Sequence, residues 1–103
     1  MADIPVVVRI FGVPMACSKG IVDTWRNLAN QARGQLTARF GDRVRVEYYD
    51  LMSPDMDRFP EVLAKVRAGA QVPLVFVGEE LLSSGGKLSV PAMAKRISSM
   101  LPT

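Results

Sequence analysis

The hydrophobic pattern of the chain predicts one α/β domain spanning residues 1–103, a mixed four-stranded sheet with helices on both faces in the order β-α-β-α-β-β-α. Three observations carry this. Ile4 to Phe11 is Val-rich and holds one charge, Arg9, so it reads as a strand covered on both faces and central in its sheet. Arg43 to Leu51 alternates Val44, Val46 and Tyr48 with Arg45, Glu47 and Tyr49, the period of a half-exposed strand. Val72 to Val77 is followed by Gly78-Glu79 and then Glu80 to Ser83, which fits two antiparallel strands around a type II′ turn with Gly first.

The helices lie between these strands. Gly12 to Gly20 breaks the strand pattern, after which Ile21, Trp25, Leu28, Ala32 and Leu36 recur at helical spacing and Gly41 supplies an end. Ser53-Pro54-Asp55 and Pro60 mark a loop and a helix start, with Val62, Leu63 and Val66 as the apolar stripe and Gly69 as the stop. Gly85-Gly86 is a second loop. Ser89 can cap a last helix carrying Val90, Met93, Ile97 and Leu101. Right-handed crossovers place the parallel strands side by side, and the hairpin adds the antiparallel pair.

Composition narrows the function. With 49% apolar and 22% charged residues the chain has side chains for one real core, and its 103 residues are too few for two. The net charge of +3 comes from basic residues spread from Arg9 to Arg96 without a block, which does not point to nucleic acid. No apolar run is long enough to span a bilayer, and the start lacks a signal-peptide pattern, so a cytoplasmic protein is expected. One Cys and no His leave no disulfide framework, no His-based acid or base and no Cys/His zinc site. Asp50, Asp55, Asp57 and Glu61 lack the spacing and mid-loop glycine of a calcium loop, so no metal and no cofactor is expected.

Two features bear on chemistry. Cys17 lies between the first strand and the first helix, and Val72-Pro73 opens the third strand. The element order and these two positions resemble the minimal thioredoxin fold, in which an active thiol holds the first place and a cis-proline the second. The stretch Val72 to Leu88, with its Val-Pro pair, apolar strand, tight turn and double glycine Gly85-Gly86, is similar to the C-terminal half of glutaredoxins. Its spacing is closer to the small YuzD-like putative disulfide oxidoreductases and, beside them, to arsenic metallochaperones. Where the YuzD-like proteins carry Cys-x-x-Cys this chain has Cys17-Ser18-Lys19-Gly20. In Met15 to Gly20, Ala16 replaces one of the metallochaperone cysteines and the later one is missing, so a three-thiolate site is not carried over.

The resemblance implies chemistry at one sulfur. If Ser18 to Gly20 leads into the first helix, its peptide N–H groups, the helix dipole and Lys19 stabilise a Cys17 thiolate. A lone thiol needs a partner's thiol, glutathione or a second protomer to resolve a mixed disulfide, so the activity is monothiol exchange or redox sensing. The basic residue that glutaredoxins place before the Cys for glutathione is absent from Gly12-Val13-Pro14. The partner is then a thiol- or disulfide-bearing protein or a small thiol, held by Pro14, Met15, Ser18, Lys19, Val72, Pro73, Gly85 and Gly86, with the Val72 backbone pairing to an extended segment.

The second reading keeps the fold and discards the chemistry. A lone Cys can be a small buried hydrophobe, and the same face, Val13 to Lys19 with Gln71 to Pro73, then belongs to a non-catalytic module that binds a protein or peptide. Each single residue has an equally plain structural role. Pro73 shapes its loop, Gly85-Gly86 turns the chain, Trp25 belongs to the core, Met15 fills space and Lys19 is a solvated charge. Tyr48 and Tyr49 point to opposite faces, one buried and one at the surface. Glu79 and Glu80 discourage pairing through the last strand's edge.

Overall fold

The computed structural model describes residues 5–13, 15–17, 20–22, 24–85 and 88–101, and for residues 15–17, 20–22 and 24 it describes the backbone alone. The strand β1 (Val6–Gly12) is followed by a short hairpin of β2 (Met15–Cys17) and β3 (Gly20–Val22) and then by the helix α1 (Thr24–Phe40). After a 3-10 turn come β4 (Val44–Asp50), a second 3-10 turn at Pro54–Arg58, and α2 (Pro60–Arg67). The chain continues through β5 (Leu74–Val77), β6 (Glu80–Ser84) and α3 (Val90–Met100). The main sheet has the order β4-β1-β5-β6, with β1 parallel to β4 and antiparallel to β5. The arrangement is α/β and thioredoxin-like.

Inner strands lose water on both faces, and that is why β1 and β5 are so apolar. Val8, Ile10, Leu74, Val75 and Val77 are fully buried. Val8, Ile10, Val75 and Val77 pack under α1 and α3 with Ala29, Ala32, Leu36, Met93 and Ile97. Phe11, Leu74 and Phe76 face the other way, against Met56 and Val62. Two hydrophobic layers on one sheet follow from the period of two along each strand.

The ends of the elements follow from local chemistry. Gly41 has φ +63 directly after α1, a conformation in which a Cβ costs energy. Gly78 also has a positive φ and no described non-glycine residue does, so Glu79 has a negative φ, as a type II′ turn requires. Ser89 caps α3 by accepting the Ala92 N–H at 3.3 Å. A bulge shifts the β5-β6 register, so Phe76 faces Leu81 but Val75 faces Ser83.

Four sequence expectations are corrected. The first helix begins at Thr24, so Gly20 and Ile21 lie in β3 rather than at the helix start, while Ser18 and Lys19 lie outside the described residues. The extra hairpin forms its own two-stranded sheet. Tyr48 and Tyr49 do face opposite layers, yet both are half-buried. The 3-10 turn at Pro54–Arg58 replaces a plain loop and brings Met56 into the core.

The end of β1 is tightly enclosed. A Cβ on Gly12 would stand 2.8 Å from Tyr48 Oη and 2.9 Å from Trp25 Cβ, and the second atom sits too near the α1 backbone to move aside. Gly12→Ala should therefore destabilise the domain by about 1–3 kcal/mol through overpacking, read as a lower midpoint in urea. Gly34→Ala, at an exposed helical position with nothing within 4 Å of the added carbon, should stabilise by roughly 0.5–1 kcal/mol.

Candidate functional site

The best-built site is the junction where α2 ends and β5 begins. Gly69, at φ +107, lets the chain reverse, and two nested bonds close the helix: Gly69 N–H to Val66 O at 3.0 Å and Ala70 N–H to Lys65 O at 2.9 Å. This is a Schellman cap, and glycine is the residue that adopts it without Cβ strain. The chain then enters Gln71–Val72–Pro73, with the Val72–Pro73 peptide cis.

Both flanks of Val72 are tied to the end of β6. The Ser84 hydroxyl accepts the Gln71 N–H at 3.0 Å and donates to the Gln71 carbonyl at 2.9 Å. The Gly85 N–H donates to the Pro73 carbonyl at 2.9 Å. Gly85 has φ +79, and a Cβ there would approach Gln71 Oε1 to 2.8 Å and Gln71 Cβ to 3.1 Å. Pro73 is buried and Val72 half-buried. Among the described residues, the Val72 N–H and carbonyl have no hydrogen-bond partner.

The structure thus brings together Val72, Pro73 and Gly85 of the sequence-predicted set. Cys17 and Met15 lie on β2, where Cys17 pairs with Gly20 and Met15 with Val22. Their side chains, together with Pro14, Ser18, Lys19 and Gly86, lie outside the described residues. The position of Cys17 differs from expectation. It belongs to a strand of a hairpin, with β3 between it and α1, so the first-turn N–H groups of α1 do not follow directly on the sulfur-bearing residue.

Sequence reasoning missed Ser84 and Gln71 as the clamp of the loop. A serine hydroxyl opposite an exposed glutamine has no periodic signal, and only the β5-β6 register places them together. It also missed a cluster on the α2 face. Arg9 and Glu47 are register partners on β1 and β4 and form an ion pair at 3.2 Å. Glu47 Oε1 also accepts the Tyr49 hydroxyl at 2.8 Å, and Glu47 Oε2 lies 3.3 Å from Arg45 Nε. Arg9 stands 5.4 Å from the centre of the Phe59 ring, and Arg58 lies over Phe59 and Tyr49. Burial, with the bond to Glu47 as the second cause, raises the Tyr49 pKa above its ordinary 10.0. The adjoining cleft, lined by Arg9, Phe11, Phe59 and Phe76, has about 70 Å³, room for a few waters.

No group of three or more His, Cys, Asp or Glu side chains gathers among the described residues. Asp50 instead accepts the Met52 N–H at 2.7 Å, and Asp55 lies 4.0 Å from Arg58. No described helix is long and apolar enough to cross a membrane.

Compared with protein-family models and with curated proteins by sequence, the chain matches none. In fold it is similar to solved structures. One is a malarial protein, at 17% identity and a TM-score of 0.52, covering 95% of this chain and 99% of that one. Another is thioredoxin-2, a component of the malaria parasite's protein secretion machinery, at 16% identity and a TM-score of 0.50, covering 92% of this chain and 82% of that one. These likenesses establish a thioredoxin-like fold.

Two outcomes follow. Gly85→Ala should lower stability by about 1–2 kcal/mol, because it meets both an unfavourable φ and the Gln71 side chain, and it should broaden the Val72 amide resonance. Tyr49 binds its proton more tightly when folded, so its contribution to stability is present below pH 10 and is lost as pH rises through the raised pKa. Tyr49→Phe should flatten the fall of the urea midpoint above pH 10 relative to the wild type.

Proposed function

We propose that this chain is a non-catalytic thioredoxin-fold module that binds an extended protein or peptide segment through the Val72 backbone. One observation carries the reading: Val72 presents an N–H and a carbonyl without partners among the described residues, while both its neighbours are pinned by Ser84 and Gly85. A fixed peptide unit of this kind can pair with an extended segment at little ordering cost. In this reading Val13 to Lys19, Cys17 included, belongs to the same binding face as Gln71 to Pro73.

The alternative, monothiol exchange at Cys17 with a thiol- or disulfide-bearing partner, needs a group that lowers the thiol pKa. β3 stands in the chain between Cys17 and the first turn of α1, which supports the binding reading. Cys17 is accordingly assigned no redox step.

The test is the pH dependence of Cys17 alkylation in the folded protein, read by mass spectrometry beside a denatured control. A midpoint at or above that of a free thiol, about 8.5, is expected. Cys17→Ser should leave unchanged the shift of the Val72 amide on titration with an extended peptide. A midpoint well below the free value, or loss of that shift in Cys17→Ser, would overturn the proposal in favour of the thiol.

A further inference from the structure

Gln71 stands next to Val72, and its main chain is fully occupied. Ser84 Oγ accepts the Gln71 N–H at 3.0 Å and donates to its carbonyl at 2.9 Å, so the side chain is what Gln71 has left to offer. That side chain is placed rather than loose. Its backbone is held by Ser84, and its carboxamide lies against Gly85, where a Cβ would stand 2.8 Å from Oε1 and 3.7 Å from Cδ of Gln71. Gly85 is itself tied down by its N–H, which donates to the Pro73 carbonyl at 2.9 Å. Gln71 is exposed, and among the described residues its carboxamide has no hydrogen-bond partner.

We propose, on the reading that Val72 pairs with the partner segment, that Gln71 is a specificity-determining residue of that site and selects an Asn or Gln side chain in the segment. When an extended segment pairs with Val72, a residue beside the pairing position comes to lie across from Gln71, within the reach of cross-strand side-chain contacts. A carboxamide carries donors on one atom and an acceptor on the other, without charge. A second carboxamide answers both at once, with one N–H···O bond in each direction. A carboxylate only accepts and an ammonium only donates, so either leaves half of the Gln71 carboxamide unanswered.

Placement is what turns this contact into selectivity. A freely rotating glutamine loses much of the gain of a hydrogen bond to the ordering of its side chain, whereas one held at its backbone and resting on Gly85 loses less. An apolar side chain at the same place displaces water from the carboxamide and returns no bond. Because Ser84 holds the backbone of Gln71 and not its side chain, replacing the side chain leaves the clamp on the Val72 loop intact.

The probes are four blocked peptides, Val-X-Val-X-Val with X as Gln, Leu, Glu or Lys, titrated against the full chain by amide NMR. All should shift the Val72 amide, and the Gln peptide should bind about threefold or more tightly than the other three. Gln71→Ala, at an exposed position, should keep the Val72 shift and bind the four peptides alike. Gln71→Glu should move the preference to the Lys peptide, a change that a purely structural role of Gln71 would not produce. A Val72 shift with no preference for the Gln peptide, or a preference that survives in Gln71→Ala, would overturn the role of Gln71 and leave the Val72 reading standing. Absence of a Val72 shift with every peptide would overturn both.

Discussion

Everything in this domain hangs on the pairing of β1. It is hydrogen-bonded to β4 on one side and β5 on the other, and Val8 and Ile10 are fully buried beneath two helices. Parallel pairing with β4 requires a crossover, and α1 supplies it. Antiparallel pairing with β5 brings the α2-β5 junction to the same end of the sheet as the close of β1, where Phe11 faces Leu74. Gly12, enclosed by Trp25 and Tyr48, marks the point at which backbone, helix and neighbouring strand meet with no room for a side chain.

The two faces of the sheet obey different economies of contact. Under α1 and α3 the layer is aliphatic, and its stability comes from area removed from water. The α2 face is shorter in cover, since α2 has eight residues against seventeen in α1. There an aromatic group of Phe11, Tyr49, Phe59 and Phe76 takes over, with ring centres 4.8 to 5.7 Å apart. Arg9, a charge within an inner strand, is tolerated because Glu47 answers it across the register and Phe59 lies beneath it. Such half-exposed pairs contribute little net energy, so they fit the surface to the charge more than they hold the fold together.

At the junction, rigidity is assembled from small groups. A glycine cap ends α2, one serine hydroxyl makes two bonds to Gln71, and a second glycine closes on the Pro73 carbonyl. The result is a backbone unit at Val72 whose two neighbours are both held in place. Thiol chemistry would ask for something else, a charge-stabilising helix start immediately beyond Cys17, and the short hairpin stands in that place. A fold shared with thioredoxin-2 does not by itself decide the chemistry of this chain.

The sequence by itself determined the types and order of the four main-sheet strands and the three helices, because periods of two and 3.6 in apolar residues survive without tertiary context. The strands read at Ile4 to Phe11 and Arg43 to Leu51 fall on Val6–Gly12 and Val44–Asp50, and the hairpin around Gly78-Glu79, the stops at Gly41 and Gly69 and the cap at Ser89 were legible too. The β2-β3 hairpin was not, since three-residue strands carry no period and Ile21 falls in phase with Trp25 and Leu28. Of the site, Val72, Pro73 and Gly85 could be picked out by residue type. Their convergence could not, nor could the Ser84 clamp or the Arg9 to Glu47 pairing. Those depend on which residues of different strands come into register and on a bulge that shifts it, and register is decided by the packing of whole faces rather than by any local run of sequence.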